Sequence, residues 1–323
     1  MTSSSNTRLP LKEILCPTDF SDFSEHAMKR AVSLAKWFHA RVTVVHVIPV
    51  MSSQVMMPSP LASTYLGVPA EMLQERRKDA AKELDELAKR HHTLGVTIET
   101  TILDGHPAKE IAKFARTLPA NLVVMGTHGR SGWDRFLMGS TTEKLMRSLP
   151  CPVLTTGLAD ASDDGAVFRR ILCAVDLRPG SDSTVNIAFA LAEEYLADVT
   201  LLNVVDGGRF EWAPKDSHPR TSAEFLHTAL ENAKAALDVM TGDRRAGKIT
   251  TRVETGSAWR STMQVAKEIN ADLIVVGAHG PGTFADSFLG STVNQIVRHA
   301  TCPVFIAKPT KSAAAQTAAA VAS

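Results

Sequence analysis

Two stretches of this chain place glycine, histidine and hydroxyl residues at spacings that suit the binding of an anion. The first runs LVVMGTHG from Leu122, reaches Gly126 and Gly129, and after nine further residues arrives at Gly139, Ser140 and Thr141. The second begins LIVVGAHG at Leu273 and repeats the arrangement as Gly277, Gly280, Gly290, Ser291 and Thr292. In each, an apolar run stops at a glycine turn and a helical pattern starts directly after the third glycine. Glycines let backbone approach an anion without an intervening Cβ, and free N–H groups at a helix start point toward it. One glycine pair would signify little, because turns need glycine for unrelated reasons. Two copies at identical spacing signify more.

Other residues fall at repeat-related positions. Asp19 ends the first apolar run and Asp176 its counterpart; the second runs end at Val47 in VVHV and Val204 in LLNV. His128 and His279 lie between the paired glycines, where a structural hydrogen bond is a simpler role than catalysis, since no nucleophile adjoins them in sequence. Arg130 could reach a phosphate in the first copy, whereas Pro281 stands at the matching place in the second. Ser140 with Glu143 also reads as a capping box, and Asp19 and Asp176 could likewise cap helices. The capping and anion readings draw on the same N–H groups, so both stand.

The elements that must hold these residues follow from periodicity. A strand at Ile14–Cys16, a helix opened by Asp22 and Glu25, and a strand over Val42–Ile48 come first. A Pro- and Met-rich loop spans Pro49–Pro69. A helix with Leu73, Ala80, Leu84 and Leu87 on one stripe follows, ended by Gly95. A strand over Val96–Leu103, a helix from Pro107, the first glycine stretch and a strand at Pro152–Thr155 complete the set. The order then restarts. The repeat offset is 157 from Asp19 to Asp176 but 151 from Gly126 to Gly277, so the second copy has lost six residues in between. Strands alternating with helices predict an α/β fold: two tandem Rossmann-like, doubly wound domains, each with a five-stranded parallel sheet. Ligands in such sheets sit beyond the strand C-termini, where the strand order reverses. In the order 3-2-1-4-5 that crevice lies between Asp19 and Gly126, or between Asp176 and Gly277.

Composition limits the alternatives. The 323 residues suit about two domains, and a 44% hydrophobic, 21% charged composition suits a globular chain. A net charge of +1 offers no footprint for nucleic acid, and no apolar run is long enough to span a membrane. MTSSSNTRLP lacks a secretory h-region, and four cysteines without a CxxC suit reduced thiols in the cytoplasm. The expected organisation is a disordered tail 1–13, one domain over 14–156, a linker 157–169, a second domain over 170–308, and an Ala-rich tail 309–323.

These motifs resemble the universal stress protein family, as a tandem member with the glycine motif in both copies. The resemblance implies an adenine nucleotide ligand, ATP, with Mg²⁺ carried by its phosphates, since no His/Asp/Glu cluster here has metal-ligand spacing. It implies that Asp19 and Asp176 face the ribose or adenine region and that the backbones of Val47 and Val204 pair with the adenine edge. Gly126, Gly129, Gly277 and Gly280 would line the ribose and phosphates. Gly139, Ser140, Thr141, Gly290, Ser291 and Thr292 would hold phosphate. It further implies an internal domain pair through the strands CPVL and CPVF, a possible homodimer, and a nucleotide-dependent regulator read by an unknown protein partner. Walker A is absent, so a slow ATPase or nucleotidyl-transfer enzyme ranks second. A structural pseudo-dimer with vestigial sites is a third reading.

Overall fold

A computed structural model describes residues 11–50, 70–129, 138–157, 168–206, 222–278 and 289–308. Gly280, His279, Arg130, Pro281, residues 51–69 of the Pro- and Met-rich loop, residues 1–10 of the first tail, 158–167 of the linker and all of the tail 309–323 lie outside the described residues. The first half runs β1 (Glu13–Pro17), α1 (Asp22–Phe38), β2 (Arg41–Ile48), α2 (Ala70–Arg90), β3 (Ile98–Asp104), α3 (Pro107–Thr117), β4 (Leu122–Gly126), α4 (Ser140–Ser148) and β5 (Val153–Thr156). The second repeats it as β6 (Arg170–Ala174), α5 (Ser181–Tyr195), β7 (Asp198–Val205), α6 (Ser222–Thr241), β8 (Ile249–Thr255), α7 (Ala258–Glu268), β9 (Leu273–Gly277), α8 (Ser291–His299) and β10 (Val304–Ala307).

All strands form one ten-stranded sheet, β3-β2-β1-β4-β5-β10-β9-β6-β7-β8, so each half has the expected order 3-2-1-4-5. Within each half the pairing is parallel, and the halves meet where β5 and β10 pair antiparallel, with Phe305 opposite Leu154. An open β5 edge would offer unpaired backbone groups to any passing strand; β10 covers it.

The apolar side chains sort by sheet face, not by repeat. Alternation along β1 sends Ile14 and Cys16 to one face and Leu15 to the other, and Leu122, Val124 and Val123, Met125 divide the same way along β4. One core lies beneath α1, α2, α5 and α6 and the other beneath α3, α4, α7 and α8, and each runs through both halves. Phe38 and Tyr195, counterparts at the 157 offset, meet edge to face across the seam at 6.2 Å. Leu11 and Phe168, expected in the tail and linker, are both buried.

Two local expectations shift. The α1 cap is Ser21 rather than Asp22: its side chain accepts from Ser24 N, and Asp22 and Glu25 instead place negative charge in the first turn, where the helix dipole favours it. Helix α2 ends at Arg90, before the predicted Gly95, where Arg90 and His91 both bind Glu25 of α1. Gly95, at φ +86, serves the turn that follows.

Candidate functional site

β1 and β4 are neighbours, Ile14 against Leu122, and their chains leave toward opposite faces of the sheet. The crevice this opens is walled by Thr18–Ser21 after β1 and Thr127–Gly129 after β4. Thr127 N donates to Thr156 O at 2.9 Å, and Gly139 N donates to Thr127 O at 3.0 Å, which brings the start of α4 against the β4 loop. Asp19, Gly129, Gly139 and Ser140, 121 residues apart in sequence at the extremes, thus share one end of the sheet.

The three glycines have different reasons. A Cβ on Gly126 would lie 2.9 Å from Phe23 Cβ and 3.0 Å from Phe23 backbone, so glycine is needed there for α1 to pack on β4. A Cβ on Gly129 would lie 2.5 Å from Asp19 Oδ2, so glycine lets the carboxylate approach the loop. Gly139 has φ −59 and ψ 136, open to any residue, and a Cβ there would meet nothing among the described residues closer than 3.6 Å. That Cβ would sit at ordinary contact distance from Thr142 Oγ1, Thr127 O and Gly129 N, at 3.6, 3.7 and 3.9 Å, between the loop and the helix start. Neither backbone conformation nor packing among the described residues demands glycine at 139.

The start of α4 settles the capping question for Ser140. Gly139 is the N-cap, Ser140 is the first helical residue, and no described side chain caps the helix. Glu143 does not reach back to complete a capping box; its Oε1 pairs with Arg147. The first-turn N–H groups therefore keep the orphan character that every helix start has. In the second half Gly290 repeats the arrangement, with φ −59, ψ 144, no side-chain cap, and N donating to Ala278 O at 3.1 Å.

Neither aspartate caps a helix. Asp19 Oδ1 accepts from Ser21 N and Ser21 Oγ, at 3.1 and 2.6 Å, while Ser21 is the cap. Asp176 Oδ1 accepts from Ser181 Oγ at 2.5 Å and Arg178 N at 3.3 Å, while Gly180 is the α5 N-cap. Replacing Ser21 by alanine is expected to lower stability by about 1 kcal/mol through the lost cap and to remove the hydroxyl bond to Asp19 Oδ1 while leaving that from the residue 21 backbone N–H, which thermal unfolding and a crystal structure of the variant would check.

Val47 lies beyond the end of β1. The last β1–β2 bond is Thr18 N to Val45 O, and in a parallel ladder every second residue faces the same neighbour. Val47 therefore turns its N–H and C=O toward the crevice, as Val204 does beyond the bond from Val175 N to Leu202 O. Sequence reasoning missed the brace beside these positions. His46 Nδ1 lies 2.9 Å from Thr18 O, and Asn203 Nδ2 donates to Val175 O at 2.7 Å. A His and an Asn at one repeat position, each able to present a ring or amide nitrogen, were the available signal.

His128 Nδ1 lies 2.9 Å from Thr127 Oγ1 and its ring packs 4.9 Å from Phe23. Its Nε2 is buried without a hydrogen-bond partner among the described residues, and burial holds its pKa below the usual histidine value, which favours the neutral ring. Among the described residues no His/Cys/Asp/Glu group could hold a metal ion, and no helix is long and apolar enough to cross a membrane. Burial pushes the Cys16 and Cys173 thiols up to about 12 and that of Cys151 to about 11, so they stay protonated.

Comparison with known proteins agrees with this architecture. A universal stress protein of Methanocaldococcus jannaschii is 38% identical over 151 residues, covering 44% of this chain and 80% of its own. One of Mycolicibacterium smegmatis is 27% identical over 309 residues, covering 92% of this chain and 97% of its own. The crystal structure of a universal stress protein from Archaeoglobus fulgidus shares the fold at a TM-score of 0.67 and 20% identity, covering 95% of this chain and 99% of that one. The model of the universal stress protein family matches residues 10–156 and again 168–308. With the same strand order, crevice and uncapped helix start in each half, the chain belongs to the universal stress protein family, as a tandem two-domain member.

Proposed function

We propose that each half binds ATP in the crevice between its first and fourth strands, and that occupancy regulates how the protein meets a partner in a stress response. The observation that carries this is Gly139: a glycine that neither its φ nor its described neighbours require, set between Gly129 N and a helix start that no described side chain caps. A cradle that a Cβ would fill is what a phosphate needs, because its oxygens must come within hydrogen-bond distance of backbone N–H groups. In this reading Gly139, Ser140 and Thr141 hold phosphate in the first half and Gly290, Ser291 and Thr292 in the second. Gly129, with Gly280 in its place in the second half, lines the phosphate path, while Gly126 and Gly277 hold the floor. Asp19 and Asp176 take ribose hydroxyls, and the backbones of Val47 and Val204 pair with the adenine edge. Mg²⁺ arrives on the phosphates. The expected setting is cytoplasmic, and the partner is a protein.

The experiment is a nucleotide inventory: denature the purified chain, separate the small molecules and quantify adenine nucleotides. About two ATP per chain are expected, one for each proposed site. No bound nucleotide, together with no titratable ATP binding, would overturn the proposal.

A further inference from the structure

The seam between the halves carries charges that the repeat leaves unbalanced. At the 151 offset Arg147 on α4 corresponds to Arg298 on α8, and Glu143 corresponds to Asn294. The arginines sit in the last turns of their helices, and Glu143 in the first turn of α4. Glu143 Oε1 lies 2.6 Å from Arg147 Nη2, and Glu143 Oε2 lies 3.7 Å from Arg298 Nη2. Both guanidinium groups, one from each half, are therefore drawn to a single carboxylate. A self-complementary seam would give each arginine its own acid. Asn294 removes one, leaving two cations against one anion among the described residues.

Three polar atoms of this cluster are buried without a hydrogen-bond partner among the described residues: Arg147 Nε, Arg298 Nε and Asn294 Oδ1. Two are donors on cations, and leaving such groups unmatched is the costly case. The Asn294 carboxamide can present its NH₂ by a half-turn, which would add a further donor. On the same face of the sheet as α4 and α8, the β5–β10 pair contributes the apolar side chains Val153, Val304 and Ile306. An apolar floor strengthens charge interactions above it. The arginine side chains keep 41% and 33% of their exposure, so their heads are reachable from solvent.

We propose that this seam is an anion site, separate from the nucleotide crevices, which binds a small phosphate-class oxyanion between Arg147, Arg298 and Asn294. Forked guanidinium donors approaching from two helices suit an anion with acceptors on several sides. The occupant supplies the second negative charge that Glu143 has no counterpart to provide, and so bridges the two halves.

The test uses the full chain with Gly139→Val and Gly290→Val, so that phosphate at the nucleotide loops does not confuse the reading. Thermal unfolding is followed against inorganic phosphate at constant ionic strength, with chloride as the control. The melting temperature is expected to rise with phosphate. Adding Asn294→Glu, which supplies the missing carboxylate from within, is expected to raise the phosphate-free melting temperature and to abolish the response. The first half already carries Glu143 at this position, so nucleotide binding measured on the unblocked chain should survive Asn294→Glu. Arg298→Gln is expected to weaken phosphate binding about tenfold or more. No phosphate response in the loop-blocked chain, or one that persists unchanged through both substitutions, overturns the proposal. Loss of nucleotide binding elsewhere leaves this outcome unaffected, because the readout is taken where those loops are already closed.

Discussion

A chain carrying Gly139→Val and Gly290→Val is expected to fold with the stability of the wild type and to leave purification without adenine nucleotide. Gly139 and Gly290 have φ −59, a value that valine adopts freely, and a Cβ at 139 meets only atoms at 3.6 Å or beyond among the described residues. The branched side chain would occupy the gap between the β4 loop and the first turn of α4, where phosphate oxygens need the backbone. Losing two or three charge-assisted hydrogen bonds, at roughly 1.5–3 kcal/mol each, weakens binding by at least about a hundredfold. Gly126→Val would be a poor substitute. Its Cβ collides with the Phe23 backbone, so loss of nucleotide could follow from misfolding. Circular dichroism and a melting curve establish the fold of the double variant, and the nucleotide inventory reads the site. Retained ATP at wild-type levels in a folded double variant would remove Gly139 and Gly290 from the phosphate site.

The sheet was legible because its evidence is periodic and doubled. Apolar runs at 42–48 and 199–205 and at 122–125 and 273–276 leave few alternatives to a parallel sheet covered on both faces. The division of the core was not legible, since a repeat suggests one core per copy. The antiparallel β5–β10 pair joins the sheets edge to edge, and the helices on each face then share one layer. At the site, spacing marked Gly126, Gly129 and Gly139 as equals, but spacing cannot say what stands opposite a glycine. Gly126 faces Phe23, Gly129 faces Asp19, and Gly139 meets described atoms only at 3.6 Å or beyond. Ser140 shows the same limit: Ser-x-x-Glu fits a capping box, yet Gly139 takes the cap position and Glu143 turns to Arg147. The balance of Arg147, Arg298, Glu143 and Asn294 was invisible because only the strand pairing sets α4 beside α8.

Lys308→Met is expected to stabilise the chain at pH 7 and to lose that advantage by about pH 10.5. Lys308 follows β10, is 9% exposed, and donates from Nζ to Leu149 O of the first half at 2.8 Å. Its repeat counterpart is Gly157, so this cross-seam bond is present on one side only. Burial lowers the ammonium pKa from 10.5 to about 8, with Cys151 offsetting part of that effect. The unfolded chain therefore holds more protons between about pH 8 and 10.5, and this group's contribution to stability rises with pH across that window. Below it the charged lysine is destabilising by up to about 3 kcal/mol, at 1.36 kcal/mol per pKa unit. Methionine fills similar volume without a charge and forgoes one hydrogen bond worth about 1 kcal/mol, which leaves a net gain of about 2 kcal/mol at pH 7. The comparison must be variant against wild type at each pH. Cys16 and Cys173, held protonated by burial, lose their own contribution above about pH 9, and both proteins share that decline; Cys151, whose pKa the Lys308 charge lowers, loses more in the variant, which adds to the fading of its advantage at high pH. Urea unfolding at pH 7 and pH 10.5 reads the difference. A gain of equal size at both pH values would show that Lys308 is not destabilised by its charge, and would move the explanation to packing at the end of β10.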